Sequence, residues 1–356
     1  MEMNLKKVFE FFKSENRFIR AMAETALDSG NQNISLKSDP LEETTKNPII
    51  RNRPLNYLGW LGMFFAVFCW GLSFPLLKIA LNEVEPITLA VLRYTISMIP
   101  LIIFLIIKED YDRISRSLKD DFFFFLSLGL VGITLPNLLQ NYGMTMTSAH
   151  LSSIIQASGP IFTIIMAVLI LKEPLGVNKV VGTAIALSGT LLLVTGGGLS
   201  LGDSMFLGNF LVLMSAISYA FSSIMSKKIL DKYDPLTVAT TSTFLGTIIL
   251  AVISIFESPF EKVPEISLYS WNIIIILALF PGSFALLVWY WILRTSEVSR
   301  IILFIYLIPV FATAIAYFWP GEAITLSTII LAALIICGVA TAQYERKNMD
   351  RDEDDS

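Results

Sequence analysis

Acidic side chains are missing from the apolar stretches of this 356-residue chain, and little else in it can do chemistry: it has one histidine and two cysteines. Charged residues make up only 16% of it, against roughly 25% in a soluble domain. Hydrophobic residues reach 54% and mean hydropathy is +0.66. That is more apolar surface than a soluble core absorbs, so an ordinary soluble fold is excluded. Cys69 and Cys337 both lie inside apolar stretches. A disulfide framework or metal site therefore has little support, and no cofactor is expected. The net charge of −4 is a poor guide to partners because the charges are segregated along the chain; no nucleic-acid partner is expected. The run Gly196-Gly197-Gly198 has no following lysine and no strand-to-helix setting, so it reads as a turn and not as a phosphate cradle.

What is present is a repeat. The second half matches the first at a constant offset of 149 positions. Leu58-Gly59 falls on Leu207-Gly208, Lys78 on Lys227, and Glu85-Pro86-x-Thr88-x-Ala90 on Asp234-Pro235-x-Thr237-x-Ala239. Pro160-x-Phe162 falls on Pro309-x-Phe311, Glu173 on Glu322, and Gly189 on Gly338. About 20 apolar residues cross a bilayer as one helix. On that scale the first copy (57–195) holds spans near 57–79, 86–107, 122–142, 147–171 and 177–195. The second copy (206–344) holds spans near 206–226, 235–256, 269–293, 299–319 and 323–344. The fold class expected is therefore an all-α integral membrane protein with ten transmembrane helices. An odd number of spans per copy turns the second upside down, so the ten form two inverted five-helix repeats.

Lys and Arg gather in alternate loops: Lys108 to Lys119, Lys172 and Lys179, Lys227 to Lys232, and Arg294 with Arg300. The N-terminal tail (1–56) and the acidic C-terminal tail (345–356) lie on the same side, which predicts that both termini are cytoplasmic. The cell membrane is the expected location. Residues 5–22 alternate apolar and basic side chains and suit an amphipathic helix on an anionic leaflet, an unstructured tail, or a partner-binding segment. Gly182, Ala186, Gly189 and Gly338 suit close helix packing, either within one chain or between copies, and the oligomeric state stays open.

The pattern Trp70-Gly71-x-Ser73-Phe74-(x)3-Lys78 resembles the drug/metabolite transporter superfamily of the EamA type. Leu92-Arg93-Tyr94, Pro160 and Lys172-Glu173-Pro174 extend the resemblance, and Tyr219, Lys227, Pro309 and Gly321-Glu322 keep matching places in the second copy. Ser242 stands there where the first copy has Arg93. The resemblance covers residues 57–344. It implies ten helices, two EamA repeats, export or exchange of small metabolites, and rocking between inward-open and outward-open forms.

In an inverted-repeat carrier the solute lies near the midplane between the copies. Within the ten spans there is no Asp or Glu, and His150 sits near the start of the fourth. A proton relay through a buried carboxylate is disfavoured, and so is a polyamine, whose charge nothing at depth would offset. Asn137, Gln140 and Asn141 share one face of the third span, and their mates are Leu286, Trp289 and Tyr290. With Gln156 and the aromatic Trp70, Phe74, Tyr219 and Tyr306, they suit a pocket for a neutral or zwitterionic solute such as an amino acid or nucleoside. The competing reading is that the amides join helices. Arg93 lies about 10 Å into its span. It either binds an anion or pairs with carbonyls and snorkels outward, and the structural role is preferred. Lys78 and Lys227 are gate-lining residues or interfacial anchors. Pro160 and Pro309 kink matching spans and are candidate hinges. A non-transporting sensor or scaffold built around the N-terminal tail, or an intramembrane lipid-modifying enzyme, are the alternatives to a carrier; the enzyme would need a nucleophile, acid–base pair or metal cluster at depth.

Overall fold

The computed structural model describes residues 57–108, 111–171, 177–195, 204–257, 263–295, 304–319 and 321–343. Both tails, Glu173 and the glycine run lie outside the described residues. Among these residues all regular structure is helical. In chain order the first copy contains α1 (Tyr57–Ala80), α2 (Pro86–Lys108), the short α3 (Tyr111–Asp120), α4 (Phe122–Gly129) and α5 (Leu135–Met146). It continues with α6 (Ala149–Gln156), α7 (Gly159–Leu171) and α8 (Val177–Val194). The second contains α9 (Ser204–Ile229), α10 (Pro235–Ser254), α11 (Leu268–Leu279), α12 (Ala285–Thr295), α13 (Leu307–Phe318) and α14 (Leu326–Gln343).

Among the described residues six helices are long and apolar enough to cross a membrane: Gly59–Ala80, Pro86–Ile107, Phe122–Met146, Ser204–Ile229, Pro235–Ser254 and Leu268–Arg294. Shorter apolar helices at Val180–Val194, Leu307–Phe318 and Leu326–Gly338 accompany them. The fourth apolar stretch of each copy falls short because it is broken. Ala157 and Ser158 form a turn between α6 and α7, and Tyr306 forms one just before α13. Pro160 and Pro309 follow these turns within the first three residues of α7 and α13. A proline there has no N–H to give to the carbonyl four residues back, which is where each helix stops.

The repeated Asp234-Pro235-x-Thr237 is a helix start. Asp234 accepts from the N–H groups of Leu236 and Thr237 at 3.0 and 3.3 Å, with Pro235 in the first turn. An acidic cap and a first-turn proline fix the entry of α10 for the same reasons as in soluble helices. Ser148 caps α6 and Ser267 caps α11 in the same way.

Packing follows one exchange rule. α1 packs on α13 and α12, and its mate α9 packs on α7 and α5. α2 packs on α11, and α10 on α4. α2 pairs with α10, and α8 with α14. Swapping the copies maps this set of partners onto itself. The stripe of small residues lies inside this chain's own packing, since a Cβ on Gly338 would meet the Ala186 backbone nitrogen at 2.5 Å and the Gly182 carbonyl at 2.8 Å.

Loop contacts sort the helix ends into two groups. At one end Lys78 donates to the Thr147 carbonyl (2.7 Å), Glu83 accepts from the Ser267 N–H (3.2 Å), and Glu322 accepts from Ala149. At the other, Asp121 accepts from Lys232 and from the Tyr233 hydroxyl, and Arg113 lies 3.5 Å from Asp234. The run Phe122–Met146 connects the two ends. The last turns of α1 and α9 therefore meet opposite ends of that run, and these two matched helices are antiparallel.

Candidate functional site

Both third apolar stretches change their winding in the middle. Leu130–Thr134 and Phe280–Phe284 are π-helical, one position away from the 149-residue offset. Each lies against a proline, Pro136 just after the first and Pro281 inside the second. A widened turn and a missing N–H free main-chain carbonyls that must find other donors when buried. Side chains supply them, all from the opposite copy except Ser283. The Ser218 and Ser215 hydroxyls donate to the carbonyls of Val131 (2.7 Å) and Pro136 (2.8 Å). Ser97 and Ser283 both donate to the Ala278 carbonyl at 2.9 Å. Trp70 gives its indole N–H to the Pro281 carbonyl at 3.3 Å. Arg93 gives its Nε–H to the Leu277 carbonyl, the one Pro281 deprives, at 3.3 Å.

The polar core is built on these two breaks. Arg93 is only 7% exposed, so it turns into the bundle and does not snorkel to a helix end. Its guanidinium carbon lies 5.3 Å from the Tyr94 ring centroid, and its NH1 lies 3.5 Å from Asn137 Oδ1. Asn137 donates in turn to the Ile133 carbonyl at 2.7 Å. Tyr219 lies close enough to Tyr94, Arg93 and Asn137 to interact with them electrostatically. Tyr290 lies within electrostatic reach of Ser226 and of Ser242, the serine matching Arg93. Trp70 and Trp289 meet edge to face with centroids 5.7 Å apart.

The remaining expected site residues divide. Phe74, Trp289 and Tyr306 are buried, and Tyr306 occupies the break before α13. Gln156 is half-buried at the end of α6, where its Oε1 has no hydrogen-bond partner. The amide stripe does not act as one surface. Gln140 turns along its own helix to the Met144 sulfur at 3.9 Å. Asn141 donates to the Pro86 carbonyl at 3.0 Å and so joins α5 to the start of α2. The expected facing of amide and aromatic stripes is not a helix-to-helix packing: α5 packs on α9 and α2, whereas α12 packs on α1 and α10. Lys78 donates to the Met144 and Thr147 carbonyls at 2.6 and 2.7 Å, closing the C-terminal end of α5. Lys227 is half-buried in the last turn of α9.

Sequence reasoning passed over a second polar group. Glu322 reaches from the loop before α14 to the first turn of α6. It accepts from the N–H groups of Ala149 (2.7 Å) and His150 (3.0 Å) and lies 2.6 Å from the His150 ring nitrogen Nδ1. Burial opposes its ionisation, but the His150 ring and the two N–H groups outweigh that and hold the carboxyl below its ordinary value. A carboxylate at a helix N-terminus also meets the positive end of the helix dipole. The available signal was that Glu322 and His150 both fall at the end where Lys78 stops. Tyr94, Ser97 and the π turns were missed as well, with Pro136 and Pro281-Gly282 as their only trace in the sequence.

An all-helical bundle that holds six helices apolar and long enough to cross a membrane among its described residues, with polar side chains buried between them, is the architecture of a multi-pass membrane protein. The chain belongs to the EamA-like transporter family, whose model matches it twice, over residues 57–195 and 206–342. It is similar to an uncharacterized transporter of Archaeoglobus fulgidus, 26% identical over 79% of this chain and 96% of the relative. YoaV, an uncharacterized transporter of Bacillus subtilis, is 27% identical over 78% and 94%. A protein of Streptantibioticus cattleyicolor named as a probable terminal-alkyne amino-acid exporter is 23% identical over 78% and 90%. A protein crystal structure, 18% identical, superposes with a TM-score of 0.60 over 85% of this chain and all of its own, which shows a shared fold.

Proposed function

We propose that this protein is an alternating-access carrier that exports or exchanges a small neutral or zwitterionic metabolite. In this reading ten spans form two inverted five-helix repeats (57–195 and 206–344), seated in the cell membrane with both termini cytoplasmic. The observation that carries it is the exchange rule of the packing, together with four helix breaks at matched places: two π turns and the two turns before Pro160 and Pro309. The antiparallel run of α1 and α9 supports inversion. The breaks bring freed carbonyls and polar side chains to the contacts between copies, where a carrier holds its solute. Trp70, Trp289, Tyr219 and Tyr290 supply aromatic walls, Asn137 and Gln156 supply amides, and Pro160 and Pro309 act as hinges. The relative named as an amino-acid exporter supports the amino-acid class. Lys78 and the Glu322 cap close the end that faces outward in this orientation.

Counterflow in proteoliposomes tests it, with purified protein, labelled L-amino acids and nucleosides, and no pH gradient. Saturable counterflow of at least one solute is expected. Its absence for the whole panel, with and without an imposed proton gradient, contradicts the reading.

A further inference from the structure

Among the described residues Arg93 is a buried cation without a counter-ion. It is 7% exposed, and the ion pairs found among the described residues join Arg113 to Asp234, His150 to Glu322 and Lys232 to Asp121, none of which involves Arg93. A guanidinium carries five N–H donors in a planar fork. One is taken by the Leu277 carbonyl, and one points at Asn137 Oδ1 from the limiting distance of 3.5 Å. Neither acceptor carries charge, and the Tyr94 ring face offsets only part of the lost hydration. Leaving a full charge inside an apolar bundle is costly unless something completes it. The second copy places a neutral Ser242 at the matching position, so the fold does not require a cation there. Shape agrees with charge: the Nε bond to a fixed carbonyl holds the fork in place and leaves its terminal nitrogens for a planar, two-oxygen partner.

From this we infer that Arg93 is the anchor for the carboxylate of the transported solute, and that the solute is a carboxylate-bearing metabolite such as an α-amino acid, not a nucleoside. Tyr219 stands beside the fork and sets the second contact. The inference rests on the carrier reading above and narrows its substrate class.

The test uses full-length protein in proteoliposomes, with counterflow of labelled L-leucine and labelled uridine. Competitors are L-leucine, its carboxamide and its 2-oxo acid. In the wild type, L-leucine and the oxo acid compete and the carboxamide competes at least tenfold more weakly. In Arg93→Gln the half-saturating L-leucine concentration rises about tenfold to a hundredfold, the range a charge-assisted hydrogen bond spans. The preference over the carboxamide disappears, and Arg93→Lys restores part of it. A purely structural arginine would lower the amount of active protein without altering that preference. Equal competition by L-leucine and its carboxamide in the wild type, a measurement needing no variant, overturns the inference. So does an unchanged preference in Arg93→Gln. Counterflow of uridine with no carboxylate accepted overturns the anchor and leaves the carrier standing, whereas silence for the whole panel of amino acids and nucleosides, with and without a proton gradient, defeats the carrier reading itself.

Discussion

Replacing Glu322 by alanine removes three hydrogen bonds at once from the first turn of α6: those from Ala149 N–H, His150 N–H and the His150 ring. A capping side chain contributes about 0.5–2 kcal/mol, and a hydrogen bond to a charged group about 1.5–3 kcal/mol. The three share one carboxylate and do not add independently, so the expected loss is about 3 kcal/mol by those magnitudes. For a chain of this length that corresponds to roughly 6 °C in thermal midpoint, read from the lower end of the usual scaling. Glu322→Gln keeps one acceptor for Ala149 but turns an amide donor toward the His150 N–H, so about half the loss is expected. The pH dependence has a definite sign. The Glu322 carboxyl lies below its ordinary value of 4.5 in the folded protein. Its contribution is therefore complete above that value and is lost as the pH falls through the lower folded value. The assay is thermal unfolding of purified protein in detergent, at neutral pH and in acid. Wild type should exceed Gln, and Gln should exceed Ala, with the gap closing in acid. An alanine variant that melts within about 1 °C of wild type at neutral pH refutes the reasoning, because an exposed, screened carboxylate would behave that way.

Further outcomes follow from the same geometry. Gly246→Ala places a Cβ 2.6 Å from Ile133 Cβ and 2.8 Å from the Gly129 carbonyl; overpacking should cost about 1–3 kcal/mol, seen as a lower thermal midpoint. Gly321→Ala meets no atom, but its backbone sits at φ 70°. A loss of about 1 kcal/mol is expected there from conformation alone, and unchanged stability would contradict it. Pro160→Ala and Pro309→Ala should each lower counterflow while the protein still elutes as one species; full activity in both would remove the hinge. Ser97→Ala takes a donor from the Ala278 carbonyl at the second π turn, and a loss of about 1 kcal/mol is expected, because Ser283 still satisfies that carbonyl.

Much of the fold was legible because it rests on features that sequence records directly. Apolar runs of bilayer length and the constant offset carried the two copies. The capping run at Asp234-Pro235 carried a helix start, and Pro160 and Pro309 carried breaks. The π turns were not legible, since a shift from four-residue to five-residue hydrogen bonding leaves hydropathy unchanged. Only Pro136 and Pro281 hinted at them. Asn137, Gln140 and Asn141 share a face by spacing, yet their partners are Arg93, their own helix and Pro86. The direction of Arg93 depended on a carbonyl freed by a proline 188 positions away in sequence, which no local pattern encodes. The role of Glu322 was not legible because it accepts from backbone groups of the other copy, and backbone donors have no letter in the sequence.

The most direct test of the central claim is whether the end closed by Lys78 and Glu322 must open for transport. Cysteines introduced at Ser148 and Ala323, with Cys69 and Cys337 replaced by alanine, place one thiol at the N-cap position of α6 and one next to Glu322 in the chain. Counterflow should proceed while the thiols are reduced, stop when a short cross-linker joins them, and return when a cleavable linker is cut. Counterflow at the full rate through the cross-linked protein would contradict alternating access by relative motion of the two copies.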